Sequence, residues 1–188
     1  MATQLITVNS ILVFESGWSV NPASVLSNAS DGSTATTFQN SSSNQSLTFD
    51  LEGTSDYTVL ANAASIESVQ LIVTFAAGGK GSGTLDSVLR DLDGNDLQGD
   101  SLTESSTSQT DNGGTIYTPN GGIDPQILDS MQVRLVTTNG TISVISRVRA
   151  EITYTAQASS PANPGFSMDN PHLGINGKVI LDSGQINI

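Results

Sequence analysis

The fold is decided by residues 141–155, which read TISVISRVRAEITYT. Apolar and polar side chains alternate along this stretch with a period of two, the pattern of a β-strand with one buried and one solvated face. The predicted buried face holds Ile142, Val144, Val148, Ala150, Ile152 and Tyr154. The opposite face carries Ser143, Arg147, Arg149, Glu151 and Thr153. The stretch therefore predicts one strand of an antiparallel sheet that packs on one side only.

Three further segments alternate in the same way and supply the rest of the predicted core: residues 45–51, 68–76 and 131–136. Their inward side chains are Leu47, Phe49, Leu51, Val69, Leu71, Val73, Phe75, Met131, Val133 and Leu135. Weaker strands are predicted at residues 5–8, 11–15, 57–60, 84–92 and 115–118. No segment has a helical period, so the pattern predicts an all-β, jelly-roll-like antiparallel β-sandwich with a C-terminal β-hairpin arm.

Turn-forming residues divide the chain further. The pair Asn139-Gly140 separates the two strongest late strands and predicts a type I′ hairpin between them. Residues 27–44 and 97–122 are long and polar, which is typical of functional loops. We expect a sandwich domain over residues 1–157, a linker over 158–165, and a C-terminal β-hairpin arm over 166–188 that docks on a partner or a second subunit.

The charge of the chain excludes some partners. Eighteen acidic residues against six basic ones give a net charge of −12, so phosphate backbones and anionic membrane surfaces repel the protein. No nucleic acid and no membrane are therefore expected as partners. Arg147 and Arg149 share one strand face and are expected to hold carboxylates of the protein itself or of a neighbour.

Three features of the sequence limit the possible disulfides, metal sites, membrane spans and targeting signals. The sequence contains no cysteine, which excludes disulfides and thiolate zinc sites. The longest apolar stretch, near residues 69–77, is too short to span a bilayer. The N-terminus lacks a basic region followed by a hydrophobic one, so no secretory signal is expected.

Catalytic candidates are weak. The only histidine, His172, lies in the predicted arm, where nothing is expected to orient it as a base. A pair of carboxylates for glycoside cleavage could come from an acidic cluster, but one Trp and three Tyr leave few platforms for a sugar. The cluster consists of Asp86, Asp91, Asp93, Asp96, Asp100 and Glu104. The sequence therefore predicts that the protein is not an enzyme and has no catalytic residue.

The sequence offers only weak candidates for a cofactor site or a metal site. Residues 91–96 read DLDGND and suggest calcium, but an EF-hand needs Gly at its sixth and Glu at its twelfth position, where Leu102 stands here. Asp93-Gly94 is better predicted as a hairpin turn, with a weak calcium site left open. Residues 78–83, GGKGSG, lack the spacing of a phosphate loop. Trp18 could stack on a sugar, but a lone Trp in a sandwich favours the core. No cofactor and no metal ligand is predicted.

A pattern across the first third of the chain carries a resemblance. It consists of Trp18, Leu26-Ser27, Asp31-Gly32-Ser33, Thr36-Thr37-Phe38 and Ser46–Leu51. The pattern resembles the galactose-binding-like jelly rolls of virion structural proteins in tailed phages, over roughly residues 18–154. The resemblance implies a capsid decoration (cement) protein that stabilises the head, a homotrimer that binds the major capsid protein or other virion proteins, and a place in the virion after assembly in the host cytoplasm.

Two alternatives stay open. The same sandwich would serve a tail, neck or fibre-base structural protein. It would also serve a carbohydrate-binding module that recognises host glycan through the loops at residues 27–44 or 97–122.

Overall fold

A computed structural model describes residues 1–40, 44–78, 82–123, 128–138 and 142–158. The nine strands of this part all lie within Met1–Gln157. They are β1 (Ala2–Phe14), β2 (Phe38–Gln39), β3 (Ser46–Leu51), β4 (Ala63–Ala77), β5 (Gly83–Arg90), β6 (Asp96–Glu104), β7 (Thr110–Gly113), β8 (Gln132–Thr137) and β9 (Ser143–Ala156). Two helices, α1 (Pro22–Ser30) and α2 (Thr58–Ala61), and a 3-10 turn at Thr54–Asp56 complete it. The predicted all-β antiparallel sandwich is confirmed.

Two antiparallel sheets share β1. The first sheet has the order β6-β5-β8-β3-β1, and the second has the order β1-β9-β4-β7 with β2 also paired to β9. Residues 2–7 of β1 pair with β9, whereas residues 8–14 pair with β3. The register skips a residue at Asn9, which is a β-bulge at the place where the strand leaves one sheet for the other.

The core lies between the two sheets, where their inward side chains meet. Most of the predicted core residues are buried there: Leu47, Phe49, Leu51, Val69, Leu71, Val73, Phe75, Met131, Val133, Leu135, Val148, Ala150, Ile152 and Tyr154. Each fully buried large apolar side chain contributes about 1.5–3 kcal/mol relative to leaving it in water. The period-two prediction is therefore right along most of each strand.

The prediction fails at the start of β9. Val144 is only half-buried and Ile142 is 39% exposed, whereas Ile145 is fully buried. The cause is a bulge in β9, because Thr74 pairs with Arg147 and Phe75 with Ile145, which leaves Ser146 as an extra residue. A one-residue insertion moves every side chain before it to the other face of the sheet.

The predicted hairpin at Asn139-Gly140 does not join paired strands. β8 pairs with β3 and β5 in the first sheet, whereas β9 pairs with β1, β2 and β4 in the second. The connection therefore crosses between sheets, and the two turn residues themselves lie outside the described residues. A turn-favouring dipeptide sets local geometry, but the partners of the flanking strands depend on packing elsewhere.

Other segments also differ from their predictions. Residues 57–60 are predicted as a strand but contribute to the short helix α2. Residues 97–122 are predicted as a loop but hold most of β6 and all of β7, while 115–118 make only an isolated bridge from Tyr117 to Val69. Hydrogen bonding to neighbouring strands overrides the polar composition of this region.

Helix α1 lies in a region where no helix is predicted. Its N-terminus is capped by Asn21, whose Oδ1 accepts a hydrogen bond from the backbone N–H of Ser24 at 2.9 Å, and Pro22 occupies the first turn. Asn-Pro is a recognised start signal for a helix, so the sequence did carry evidence of it. Val25 and Ala29 are the buried residues of the helix.

The predicted linker, the C-terminal arm and His172 lie outside the described residues, apart from Ala158 at the start of the linker. The division into sandwich, linker and arm therefore stays a prediction. In the part of the chain that the structure describes, no helix is long and apolar enough to cross a membrane.

Candidate functional site

A polar cleft of about 440 Å³ opens at one end of the first sheet, and we refer to it as the acidic cleft. It is lined by Asn9, Asp50, Leu51, Gly53, Ser55, Asp56, Leu92, Asp129 and Ser130. These residues come from β1, from β3 and the turn after it, from the β5–β6 connection, and from the segment before β8. The volume lies within the range of about 300–1,000 Å³ that is usual for small-molecule sites.

Three carboxylates in the cleft are each oriented by a neighbouring donor. Ser10 Oγ donates to Asp50 Oδ2 at 2.8 Å, and the backbone N–H of Gly53 donates to Asp56 Oδ2 at 3.0 Å. The hydroxyl of Thr54 donates to Asp129 Oδ1 at 2.8 Å, and its backbone N–H donates to the same oxygen. A carboxylate has room for about four hydrogen bonds, so each group keeps capacity for a ligand.

Two further residues give the cleft its shape. The bulge in β1 occurs at Asn9, an exposed side chain, and bulges commonly redirect a side chain next to a site. Leu92 follows β5 and is 67% exposed, so an apolar surface stands beside the carboxylates. The cleft thus combines oxygen acceptors, an amide and one aliphatic side chain.

The turn that supplies part of the cleft is held by Glu52. Its Oε2 accepts a hydrogen bond from the backbone N–H of Thr7 at 3.0 Å and another from the hydroxyl of Tyr57. Burial, followed by the hydrogen bond and the charge of Glu52, raises the pKa of the Tyr57 phenol well above its usual value. The phenol therefore stays protonated and remains a donor at physiological pH, which ties the turn to β1.

Several members of the acidic cluster at residues 86–104 have hydrogen-bond or ion-pair partners within the protein. Asp91 accepts two hydrogen bonds from Asn95, and Asp100 accepts hydrogen bonds from Thr115. Asp96 forms an ion pair with Arg90 at 2.6 Å. Hydrogen bonds from Asn95 lower the pKa of Asp91, and one from the backbone of Ser106 lowers that of Glu104. A general acid for glycoside cleavage needs the opposite shift, so these two residues are not suited to that role.

The other members of the cluster lie apart from the acidic cleft. Asp86 is on β5, and Asp93 lies in the β5–β6 turn, where Gly94 has φ +82°. The N–H of Gly94 donates to the carbonyl of Asp91 at 3.1 Å, so the predicted hairpin turn is confirmed. Within the described ranges, no group of three His, Cys, Asp or Glu side chains could hold a metal ion.

Two of the remaining candidates, Trp18 and the pair of arginines on β9, have structural roles within the protein. Trp18 is 6% exposed and meets Phe38 edge to face, with ring centroids 5.7 Å apart, so it belongs to the core. Arg147 and Arg149 both bind Asp111, at 3.1 and 2.9 Å, which confirms that they hold a carboxylate of the protein itself. The phosphate-loop candidate falls mainly on residues 79–81, outside the described part.

The acidic cleft could not be predicted from the sequence. Its acids Asp50, Asp56 and Asp129 stand in separate polar segments, and the first and last are 79 positions apart in the printed numbering. No spacing rule brings such residues together. The only signal is Asn9, a polar residue between the two predicted strands at 5–8 and 11–15, where the structure has one bulged strand.

No protein-family model matches the sequence, and no curated protein matches it. Among solved structures, a CBM36 domain of a multidomain xylanase from the hindgut metagenome of Trinervitermes trinervoides is 10% identical, with a TM-score of 0.45 over 84% of this chain and 100% of the other. The C-terminal CBM6 of LamC, a marine laminarinase from Zobellia galactanivorans, is 15% identical, with a TM-score of 0.44 over 81% and 99%. Truncated AlyQ, with CBM32 and alginate lyase domains, is 16% identical, with a TM-score of 0.44 over 86% of this chain and 36% of the other.

These structures correct the main functional prediction. All three contain carbohydrate-binding modules, and none of the three is a capsid decoration protein, so the cement-protein prediction is wrong. The jelly-roll part of the resemblance holds, while its link to tailed phages has no support. The homotrimer, the shell partner and the virion location stay predictions.

Proposed function

We propose that the chain is a non-catalytic carbohydrate-binding domain that holds a neutral glycan in the acidic cleft. The observation that carries the proposal is the set of three carboxylates, Asp50, Asp56 and Asp129, each fixed by its own neighbour around a cleft of about 440 Å³. Sugar hydroxyls are hydrogen-bond donors, and bonds to ionised acceptors are the stronger kind. Acceptors fixed before the ligand arrives cost little ordering on binding.

The charge of the cleft selects among sugars. Among the described residues that line it there are three carboxylates and no Lys or Arg, so a uronate or a sulfated sugar would be repelled. A neutral sugar avoids that repulsion while offering several hydroxyl donors. The exposed side chain of Leu92 supplies a small apolar surface for the C–H face of a ring.

The proposed domain binds without cleaving. Two of the acids that the sequence offered for hydrolysis, Asp91 and Glu104, have lowered pKa values and are used in hydrogen bonds within the protein. The large apolar side chains exposed in the described residues are aliphatic, so the aromatic platforms common in sugar-cleaving clefts are not among them. Modest affinity, in the micromolar to millimolar range, is therefore expected.

The substitution Asp56→Asn tests the proposal. An Asn Oδ1 can still accept the bond from Gly53 N–H, so the turn should keep its shape while the cleft loses a charged acceptor. A hydrogen bond to a charged group contributes about 1.5–3 kcal/mol, which corresponds to roughly tenfold to hundredfold weaker binding. A glycan array on the full chain identifies the ligand, and calorimetry then compares the variants.

The matched control is Asp93→Asn, which removes the same charge from the exposed β5–β6 turn outside the lining of the cleft. It should bind glycan as the unmodified chain does. The proposal fails if the array shows no neutral glycan, or if the two variants weaken binding equally.

A further inference from the structure

The chain contains four Asn-Gly dipeptides, at residues 112–113, 120–121, 139–140 and 176–177, and the first two lie within the described residues. In such a pair the backbone nitrogen of the glycine can attack the side-chain amide of the asparagine, because glycine has no Cβ to hinder the approach. The attack requires that the Asn–Gly peptide can rotate and that the asparagine amide is not already engaged. The structure gives the two described pairs opposite surroundings.

Asn120 and Gly121 occupy the two central positions of a turn that follows β7. The backbone N–H of Gly122 donates to the carbonyl of Pro119 at 3.2 Å, and Gly121 has φ +94°, which together indicate a type II turn. Asn120 and Gly121 are both exposed. Among the hydrogen bonds of the described residues, none uses the side chain of Asn120 or the backbone N–H of Gly121. The two groups that must react are therefore both accessible to water.

The turn is held at both of its ends. Tyr117 exchanges backbone hydrogen bonds with Val69 of β4, at 2.8 and 3.0 Å, and the N–H of Ile123 donates to the carbonyl of Ile66 at 2.7 Å. Ile123 is also buried. The residues that anchor the loop thus lie outside the turn itself. The peptide between the Asn and the Gly can rotate without separating the loop from the sheet.

The other described pair, Asn112-Gly113, lies in β7 and is paired with β4. Asn112 Nδ2 donates to the carbonyl of Thr110 at 3.1 Å, so the side-chain amide is engaged. A Cβ placed on Gly113 would lie 2.9 Å from Gln70 Nε2, which shows how closely that side chain packs against the strand. Rotation of this peptide therefore requires β7 to open locally from the sheet.

We propose that Asn120 is a site of spontaneous deamidation in the folded protein, and that the sheet protects Asn112 from the same reaction. The backbone nitrogen of Gly121 loses its proton to hydroxide and bonds to Asn120 Cγ. The bond from Cγ to Nδ2 then breaks, and the amide nitrogen leaves as ammonia. Water opens the resulting succinimide ring, at Cγ to give aspartate or at the backbone carbonyl to give isoaspartate. The reaction consumes water and releases ammonia, with no oxidation or reduction.

The modification changes the loop in two ways. Either product adds a negative charge to a chain whose net charge is already −12. Isoaspartate also inserts an extra carbon atom into the backbone before Gly121, which removes the hydrogen bond between Gly122 and Pro119. The turn lies at the end of the polar stretch at residues 97–122 and does not line the acidic cleft, so glycan binding in the cleft should not change.

Peptide mapping by mass spectrometry tests the proposal, because it measures each Asn-Gly pair separately in one sample. The full chain is incubated in mildly alkaline buffer, once folded and once unfolded in urea. In urea the rates at Asn120 and Asn112 should agree within about threefold, since no sheet protects either residue. In the folded chain Asn120 should react at least about tenfold faster than Asn112, a ratio that corresponds to about 1.4 kcal/mol of local opening in β7.

Two matched variants assign the signals. Asn120→Gln lengthens the side chain by one carbon and disfavours the five-membered ring, so it should abolish the fast reaction. Asn112→Gln makes the same change in β7 and should leave the fast reaction as it is. The proposal is overturned if Asn120 in the folded chain reacts as slowly as Asn112, or if Asn112 in the folded chain reacts as fast as it does in urea.

Discussion

The acidic cleft of the first sheet differs from a smaller pocket on the second sheet, which we call the arginine pocket because Arg147 and Arg149 line it together with Thr7. Asn9 of β1 lines the cleft, and Thr7, two residues earlier, lines the pocket. The cleft gathers Asp50, Asp56 and Asp129, while the pocket gathers two of the six basic residues of the chain. The net charge of −12 describes how the whole molecule repels anions at a distance, but it does not predict the sign of a particular site.

The difference arises because β1 changes sheets between the two sites. Thr7 is the last residue paired with β9, where the arginines lie, and Val8 is the first paired with β3, which carries Asp50. Val8 is 2% exposed and fixes the strand in the core at this point. A single strand can therefore present neighbouring residues to two sheets with different charges.

Phe75→Ala should have the largest effect and should destabilise the whole sandwich. Phe75 is fully buried on β4, next to Thr74, which holds Arg147 and Asp111. Removing a buried Phe side chain costs about 3–5 kcal/mol of unfolding free energy. Urea denaturation followed by far-UV circular dichroism measures the loss.

Phe75→Leu is the conservative control and should cost less than Phe75→Ala, because it removes fewer buried atoms. A loss within about 0.5 kcal/mol for the Ala variant would contradict the assigned register of β4.

The strand that contains Phe75 could be predicted from the sequence, because burial of one sheet face produces a local alternation of apolar and polar residues. Val69, Leu71, Val73 and Phe75 alternate without interruption, and each is buried as expected. Alternation does not predict which residues before Ser146 are buried, because the bulge adds one residue to the strand and the local sequence pattern does not indicate it. Ser146 is fully buried, and its hydroxyl lies 2.8 Å from Gln109 Oε1, a partner 37 positions away.

The candidate sites are less predictable than the core for a related reason. Arg147 and Arg149 could be placed together because they stand on one strand, and the structure confirms an internal carboxylate as their partner. That the partner is Asp111, and that Thr7 stands beside Arg149, depends on which strands pair. Contacts between distant segments follow from topology, which the alternation of single strands does not specify.

Asp111→Asn should have an intermediate effect, limited to the side of the molecule that carries the arginine pocket. Burial acts to raise the pKa of Asp111, but hydrogen bonds from Thr74 and Arg149 and the charges of Arg149 and Arg147 hold it below its ordinary value of 3.8. Since the carboxyl is half-exposed, the loss of unfolding free energy at pH 7 should stay below about 1 kcal/mol.

The lowered pKa of Asp111 determines how its contribution to the unfolding free energy changes with pH. A carboxyl whose pKa is lower in the folded state stabilises the fold fully above the unfolded pKa, and this contribution disappears as the pH falls through the folded pKa. The difference between the unmodified chain and Asp111→Asn should therefore be constant from pH 7 to about 5 and shrink below about 4. Asp93→Asn is the matched control. A difference that grows on acidification would contradict the lowered pKa.

Leu92→Ala should have the smallest effect, confined to the acidic cleft. Leu92 is 67% exposed, so its truncation should change the unfolding free energy by less than about 0.5 kcal/mol. A sugar ring that covers only part of the side chain would gain about 0.5 kcal/mol from it, which predicts roughly twofold to threefold weaker glycan binding. Ile116→Ala is the matched control, because Ile116 is 54% exposed and does not line the cleft. Equal calorimetric affinities for the two variants would mean that the glycan does not reach Leu92, and would restrict the ligand to the carboxylate side of the cleft.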